Sequence, residues 1–330
     1  MILKSICISH KEDVDGLVSA ALIQNALKVK NIFLVDYPGL LNTLEYVAGL
    51  CERNRSFGRV FICDVGLNKK NQEIFINILH KLINRNIQVV YIDHHYIDDS
   101  VNEKLKNMGV KLIHNIDECT SVLIFNVLKD KLSKKFSFYA SAAALTDYME
   151  SRPMASRLVS RYDRTFLMLE SCFLSYIISA SQKNIGFLKY VTKSISLLKQ
   201  PHELENGFPL VKQFSDKISN ALNTIENEIV ELDKVAYFSH SLDLASSMIV
   251  NFVLGISGKE VALAFKYKEN INAYVLSIRG SKDCKVHLGK LVNDLSSSLN
   301  GSGGGHDKAC GAVIPQENIE PFIKKLNSLV

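Results

Sequence analysis

The sequence has no tryptophan and no pair of cysteines in a C-x-x-C arrangement. Its seven cysteines are scattered, at positions 7, 51, 63, 119, 172, 284 and 310. An odd count without a regular spacing argues against a disulfide framework and favours reduced thiols in a cytoplasm. Without tryptophan, any stacking on a nucleobase would depend on tyrosine, phenylalanine, histidine or arginine.

Long apolar runs and a strong net charge are missing too. The most apolar stretch, residues 166–180, contains Glu170 and several serines, and is too short and too polar to span a membrane. No charged segment, apolar core and cleavage site precede the first strand-like residues, so we expect no secretory signal. The net charge of +5 suits an anionic substrate but does not indicate the basic stripe that binds a long nucleic acid.

The first half of the sequence contains a recurring pattern, in which an apolar run is followed at once by metal-binding residue types. The segments HKEDVD, CDVG, IDHH and LTD supply these side chains, namely His10, Asp13, Asp15, Asp64, Asp93, His94, His95 and Asp147. In an open α/β sheet, sites lie at the carboxyl ends of the strands. The pattern therefore predicts that the four clusters converge on one metal site.

The residue types indicate which metals would bind. Carboxylates and neutral imidazoles suit Mn, Mg or Fe-like divalent ions better than soft metals. Two such ions, about 3.5–4 Å apart, hold the attacking and leaving oxygens in phosphoryl chemistry. A single Asp after a strand is more commonly a turn residue or a helix cap, and a His pair can lie on the surface. Four such clusters within 150 residues favour the metal site.

In these motifs the chain resembles the DHH phosphoesterase superfamily, which includes RecJ-type exonucleases, nanoRNases, cyclic-dinucleotide phosphodiesterases and family II pyrophosphatases. HKEDVDG, CDVG, DHH and the TD pair match its four N-terminal motifs. Near the C-terminus, GSGGGHDKACGA (301–312) resembles the GGGH motif of the DHH-associated domain, and SIRGS (277–281) matches the strand before it. The resemblance covers residues 1–150 and 234–330.

The resemblance implies a role for each residue. His10 and Asp13 would hold one metal, Asp15, His94 and Asp147 the other, and Asp64 would bridge them. The catalytic pair would be His95, in contact with the scissile phosphate, and Asp93, which would orient a neighbouring His. Mn²⁺ is the expected metal, with Mg²⁺ or Co²⁺ as alternatives. A second phosphate or the terminal nucleotide would be bound by Arg279, Gly303, Gly304, Gly305 and His306.

Two departures from the family pattern bear on which branch of the superfamily the chain resembles. His10 and Asp13 are three residues apart, as in archaeal RecJ-like members, whereas nanoRNases and pyrophosphatases commonly have four. This spacing weakens the pyrophosphatase interpretation. After Asp147 the sequence reads YMESRP and lacks the Thr-Gly-Phe run that is usual in nanoRNases.

The order of apolar and helical segments predicts an α/β fold with a mostly parallel N-terminal sheet. We expect a catalytic domain at 1–150, a helical connector at 151–233 and a smaller α/β domain at 234–330. Strands are predicted at 1–9, 31–37, 58–65, 87–93 and 110–115, and helices at 15–28, 69–84, 119–130 and 137–149. Residues 153–200 and 208–232 are predicted to be helical throughout.

In the last third, KVAYFS, EVALAFKYK and NAYVLSIRG alternate as strands, and helices are predicted at SSMIVNFVLG and VHLGKLVNDLSSSL. GSGGG is predicted to form a turn whose backbone N–H groups approach an anion. The same composition is typical of a linker, but the small residues of HDKACGA favour a packed turn. A terminal helix is expected from Pro315.

The function we expect is a two-metal phosphodiesterase or exonuclease that hydrolyses short single-stranded oligonucleotides, RNA rather than DNA, to mononucleotides in the cytoplasm. Processive RecJ exonucleases carry an additional nucleic-acid-binding domain, for which these 330 residues leave no room. Alternatives are a nucleoside 3′,5′-bisphosphate phosphatase, a linear dinucleotide phosphodiesterase and, in another class, a non-catalytic replisome-associated scaffold. The polarity of degradation and a homodimer remain open, and a membrane partner is not expected.

Overall fold

The computed structural model describes residues 3–67 and 71–330 of the chain. These residues divide into two compact units, Met1–Phe214 and Ser215–Val330. Each unit contains its own sheet and its own buried apolar residues.

The first unit is built on a five-stranded parallel sheet with the strand order β2-β1-β3-β4-β5. Its central strands are buried on both faces, which explains why they appear in the sequence as continuous apolar runs rather than as alternating patterns. The strands are β1 (Lys4–His10), β2 (Asn31–Val35), β3 (Phe57–Cys63), β4 (Gln88–Asp93) and β5 (Lys111–His114).

Helices cover both faces of this sheet. The helices are α1 (Val14–Leu27), α2 (Leu40–Arg53), α3 (Gln72–Ile83), α4 (Asp99–Asn107), α5 (Thr120–Leu128) and α6 (Ser137–Thr146). Apolar residues of α1, α5 and α6 share one core with Cys7 of β1, whereas those of α2, α3 and α4 share another with Ile6 and Ile8. Adjacent residues of a strand face opposite sides, so the sheet forms the middle of three layers.

The predicted α/β class and the parallel sheet are confirmed. Sequence interpretation missed α2 and α4. The apolar residues of α2 (Leu40, Leu44, Val47, Ala48 and Cys51) are buried and recur at helical spacing, so its signal was present. Parts of two predicted elements, the strand at 1–9 and the helix at 69–84, lie outside the described residues at 1–2 and 68–70.

Helices continue after the first sheet, as predicted for 153–200 and for most of 208–232, but Val230–Glu231 form a short strand instead of helix. They are α7 (Pro153–Val159), α8 (Arg164–Ser181), α9 (Ile185–Ser196) and α10 (Gly207–Glu228). The first stretch is not one helix, because Asp163 and Asn184 cap new helices with their side chains. Residues of α8 and α9, among them Leu174 and Leu188, belong to the same core as α1 and α6.

The second unit contains a six-stranded mixed sheet with the order β10-β11-β9-β8-β7-β6. Its strands are β6 (Val230–Glu231), β7 (Val235–Ser239), β8 (Val261–Lys268), β9 (Ala273–Gly280), β10 (Ser302–Gly305) and β11 (Ala309–Pro315). Among the described strands of this unit, only the pair β7–β8 is parallel, and the helix between them is α11 (Ser246–Ser257). The remaining helices are α12 (Leu288–Ser298) and α13 (Ile319–Leu329).

Two predictions for this unit are wrong. The glycine-rich segment is not a turn but the edge strand β10, which pairs antiparallel with β11. The terminal helix begins at Ile319 rather than at Pro315, which ends β11. Within the described part of the chain, none of the helices combines the length and apolar character needed to cross a membrane.

Gly16 in the first turn of α1 provides a test of how closely this helix approaches β1. A Cβ atom there would lie 2.3 Å from the carbonyl oxygen of His10, whereas one at Gly255, inside α11, would meet nothing within 4 Å. We expect Gly16→Ala to lower the free energy of unfolding by about 1–3 kcal/mol. Gly255→Ala should raise it by about 0.5–1 kcal/mol, because glycine disfavours helix. Equal effects in denaturant titrations would contradict this account.

Candidate metal centre at the carboxyl edge of the first sheet

The metal-binding residue types of the first unit lie where its parallel strands end. His10 is the last residue of β1, Asp64 follows β3 directly, and Asp93 ends β4. These strands are adjacent in the order β1-β3-β4, so their carboxyl ends meet at one edge. Asp13 and Asp15 begin α1, and Asp147 ends α6 at the same edge. The structure thus brings the four sequence clusters together.

The His10 side chain is buried and faces Asp13. The two side chains approach to 3.5 Å between Nε2 of His10 and Oδ2 of Asp13. Asp13 is the N-cap of α1, and its other carboxylate oxygen accepts a hydrogen bond of 2.9 Å from the backbone N–H of Gly16. Among the described residues, Nδ1 of His10 has no hydrogen-bond partner. This pair offers an imidazole and a carboxylate oxygen to a cation.

Asp64 lies at the centre of the arrangement and has an unusual backbone. Its φ of 56° is in the left-handed region, which Asp tolerates better than most residues. Its Oδ1 lies 3.5 Å from Nε2 of His94 and accepts a 3.2 Å hydrogen bond from the hydroxyl of Thr120. Nε2 of His94 is also 3.8 Å from Oδ2 of Asp147. His94 therefore lies between two carboxylates.

Asp15 is buried and is bound by the start of α5. Its two carboxylate oxygens accept backbone N–H bonds of 2.8 Å from Thr120 and 2.7 Å from Ser121. An N-terminal helix turn with free N–H groups stabilises a carboxylate. Asp15 therefore holds the start of α5 through these two bonds, and its carboxylate oxygens are also potential metal ligands.

Asp93 binds the ring of His95. Nδ1 of His95 lies 2.9 Å from one oxygen of the buried Asp93, and the hydroxyl of Tyr91 lies 3.1 Å from the other. On the far side of the ring, Nε2 lies 3.1 Å from the hydroxyl of Tyr37. The Tyr37 ring also packs against His10, with 4.9 Å between the ring centroids. The predicted catalytic pair is thus connected to a third residue.

Sequence interpretation missed Tyr37, Cys119 and Thr120. Tyr37 follows β2, the neighbour of β1, and a strand-end position was the only available signal. Cys119 and Thr120 precede and begin α5. Potential ligand atoms of Cys119 lie within 4.8 Å of those of Asp15 and Asp147. Burial raises the pKa of the Cys119 thiol well above its ordinary value, which favours the protonated thiol in the metal-free protein.

Burial and mutual repulsion shape the electrostatics of the cluster. Burial, together with the charge of Asp15, raises the pKa of both Asp64 and Asp147 well above the ordinary value. Burial lowers the pKa of His94, which keeps its imidazole neutral and able to bind a metal. Burial alone would also lower the pKa of His95, but the hydrogen bond and charge of Asp93 outweigh it and raise that pKa.

The donor set fits divalent cations. Potential ligand atoms of Asp64, His94 and His95 lie within 4.8 Å of one another, and Asp15 and Asp147 belong to the second such group. A cation between these carboxylates would remove the repulsion that raises the pKa of Asp64 and Asp147. Oxygen and imidazole donors are suited to Mn²⁺ or Mg²⁺. The assignment of individual ligands remains a prediction.

The predicted substrate residues of the second unit lie at one end of its sheet. Arg279 is paired in register with Ala309, and Gly305 with Cys310, so that Arg279 and His306 lie near the same strand ends. The Arg279 side chain is half-buried, with Nη1 donating to the carbonyl of Ile278 at 3.1 Å. His306 is exposed.

The glycines of β10 allow a close approach of α12. A Cβ atom at Gly289, in the first turn of α12, would lie 2.1 Å from the carbonyl oxygen of Gly305. The backbone N–H of Gly289 donates to the carbonyl of His306 at 3.0 Å. Gly304 and Gly305 have φ values of 148° and 143°, which L side chains rarely adopt. The glycines thus serve strand–helix packing, and binding of an anion by them remains a prediction.

Family models match both ends of the chain. The DHH family N-terminal domain matches residues 5–151, and the DHHA1 domain matches residues 235–330. The chain therefore contains a DHH family N-terminal domain and a DHHA1 domain. This confirms the resemblance inferred from the motifs, and the fold is that of DHH-family phosphoesterases. The comparison with curated proteins finds no match.

Solved structures share this fold along nearly the whole chain. A DHH-domain protein described as belonging to a family of ribosomal proteins is 13% identical, with a TM-score of 0.71 over 99% of this chain and 86% of its own. Manganese-bound exonuclease RecJ is 12% identical, with a TM-score of 0.64 over 98% and 89%. The pGpG-specific phosphodiesterase PggH of Vibrio cholerae is 12% identical, with 0.59 over 98% of each chain.

The raised pKa values predict how pH affects the metal-free protein. An acid with a higher pKa in the folded state binds more protons there, so stability falls as pH rises from the unfolded to the folded pKa. We expect metal-free protein to lose stability through Asp64 and Asp147 as pH rises above about 4. Saturating Mn²⁺ should remove this loss.

Denaturant titrations from pH 4 to 8, with EDTA or with Mn²⁺, measure this effect. Asp64→Asn should reduce the loss of stability in EDTA, because it removes one of the two carboxyl groups whose pKa is raised. The exposed Glu52, whose carboxylate pairs with Arg85, provides the control Glu52→Gln. A pH dependence unchanged by Asp64→Asn would contradict the repulsion described above.

Proposed function

We propose that this chain is a metal-dependent phosphodiesterase that hydrolyses short single-stranded oligonucleotides, RNA in preference to DNA, to mononucleotides. The observation that carries the proposal is the convergence of carboxylates and imidazoles from four separate segments at one sheet edge. The DHH family match and the fold shared with RecJ and PggH support the same chemistry.

The proposed metal ligands are His10 and Asp13 for one ion, and Asp15, His94 and Asp147 for the other, with Asp64 between them. Two divalent ions in such a site stabilise the charge that develops on the attacking and leaving oxygens of a phosphodiester. Histidine donors suit Mn²⁺ better than the harder Mg²⁺, and the RecJ neighbour is bound to manganese.

His95 would act on the substrate directly. Asp93 fixes the ring through Nδ1 and raises the pKa of the imidazole, so that Nε2 can carry a proton. A protonated Nε2 can donate a charge-assisted hydrogen bond to a phosphate oxygen. The hydroxyl of Tyr37 lies next to this nitrogen and orients the ring from the other side.

Two further substrate classes remain candidates. A linear dinucleotide is favoured by the fold shared with PggH, described as specific for pGpG. A nucleoside 3′,5′-bisphosphate is the other small substrate that the family chemistry allows. A non-catalytic scaffold is disfavoured because the carboxylate and imidazole side chains of all four motifs are present and meet at one sheet edge.

A substrate panel with Mn²⁺ tests the proposed reaction and the role of Asp64. Labelled RNA and DNA of about 2 to 24 nucleotides, a bisphosphate and pyrophosphate form the panel. We expect wild-type protein to release mononucleotides fastest from short RNA, and Asp64→Asn to abolish release on all substrates. Glu52→Gln serves as the control outside the centre. Near wild-type activity of Asp64→Asn with saturating Mn²⁺ would contradict a bridging role.

The second unit is proposed to bind substrate without taking part in the chemistry. Arg279→Ala and His306→Ala should each raise KM for oligonucleotides by about 10- to 100-fold, because each removes a charge-assisted hydrogen bond. Hydrolysis of a small activated diester should stay near wild type. Arg164→Ala, which removes an exposed arginine at the start of α8, is the matched control. Equal losses on both substrates would mean that these residues act at the reacting phosphate.

A further inference from the structure

The residue after Asp147 has a costly backbone conformation. Helix α6 ends in a Schellman motif, in which the N–H of Tyr148 donates to the carbonyl of Leu145 and that of Met149 to the carbonyl of Ala144. The motif requires a left-handed residue after the C-cap, and Tyr148 has a φ of 58°. Glycine is the usual residue at this position, because a side chain there is sterically unfavourable.

The Tyr148 side chain gains no packing that would offset this cost. It is 88% exposed, whereas its neighbour Met149 is 9% exposed and belongs to the core of the first unit. Among the described residues, no hydrogen bond, ion pair or ring contact involves the Tyr148 side chain. Stability would thus favour glycine here, so the exposed ring of Tyr148 adds nothing to the stability of the fold.

The position of Tyr148 next to Asp147 indicates what its exposed ring could contact. The Cα atoms of Tyr148 and the proposed ligand Asp147 are about 3.8 Å apart, as in any trans peptide. A second exposed ring, Tyr96 at 69% exposure, follows the proposed catalytic His95 directly. Exposed aromatic rings provide stacking surfaces for nucleobases, and this chain has no tryptophan to serve that purpose.

We propose that the ring of Tyr148 is the surface on which a nucleobase of the substrate stacks beside the metal centre. This inference rests on the proposed function and narrows it. A stacking surface next to the reacting phosphate selects esters that carry a base over inorganic pyrophosphate or polyphosphate, which have nothing to stack. Stacking on any base is tolerated, so the selection is for a base and not for its identity.

The test compares Tyr148→Gly and Tyr148→Phe on two matched substrates in Mn²⁺. One substrate is a dinucleotide, and the other is the same molecule with the base removed at both positions. Tyr148→Gly should lower kcat/KM about 5- to 100-fold on the dinucleotide and leave the abasic analogue unchanged. Tyr148→Phe keeps the ring and should stay within about twofold of wild type on both, since stacking does not need the hydroxyl.

Thermal unfolding without ligand provides an independent readout. Tyr148→Gly should have a Tm no lower than wild type and up to about 4 °C higher, because glycine relieves the left-handed conformation. Tyr46→Ala, which removes another exposed tyrosine on α2, is the control and should leave both rates unchanged.

Three results would overturn the inference. Tyr148→Gly could lower kcat/KM equally on both substrates, or on neither. Tyr148→Phe could lose as much kcat/KM on the dinucleotide as Tyr148→Gly. Tyr148→Gly could also unfold at a clearly lower temperature than wild type. If wild-type protein hydrolyses neither substrate, that result would contradict the proposed function, and this inference would fail with it.

Discussion

Crowding of buried carboxylates at one sheet edge is the constraint on which the first unit depends. Asp15, Asp64 and Asp93 are each at most 1% exposed, and Asp147 adds its charge to theirs. The fold supplies donors to some of them, with two backbone N–H groups for Asp15 and the side chains of Tyr91 and His95 for Asp93. Asp64 and Asp147 receive fewer donors, and their pKa values are raised. A cation bound between these two carboxylates would supply the positive charge that balances them.

The sequence was sufficient to predict the sheet and the residues at its edge. Buried parallel strands appear as continuous apolar runs, so β1, β3 and β4 could be located, and their carboxyl ends indicated where His10, Asp64 and Asp93 would meet. Helix α2 was missed although its apolar spacing is helical. The pattern that predicts α2 was therefore present in its local sequence.

Other features depend on contacts between distant segments, which no local pattern shows. Thr120 reaches Asp15 and Asp64 only because α5 begins at the same edge as α1. Tyr37 reaches His95 only because β2 lies next to β1. The GSGGG segment has the composition of a loop, and its strand conformation follows from pairing with β11 and packing of α12. The positive φ of Tyr148 likewise follows from where α6 ends.

We propose that this edge binds two divalent ions close to each other. Metal analysis of protein loaded with Mn²⁺ and desalted, combined with electron paramagnetic resonance, tests it most directly. We expect two manganese ions per chain with a spin-coupled spectrum, because a carboxylate shared by two neighbouring ions would couple their spins. A chain that retains no manganese, or ions that give only the six-line spectrum of isolated Mn²⁺, would contradict it.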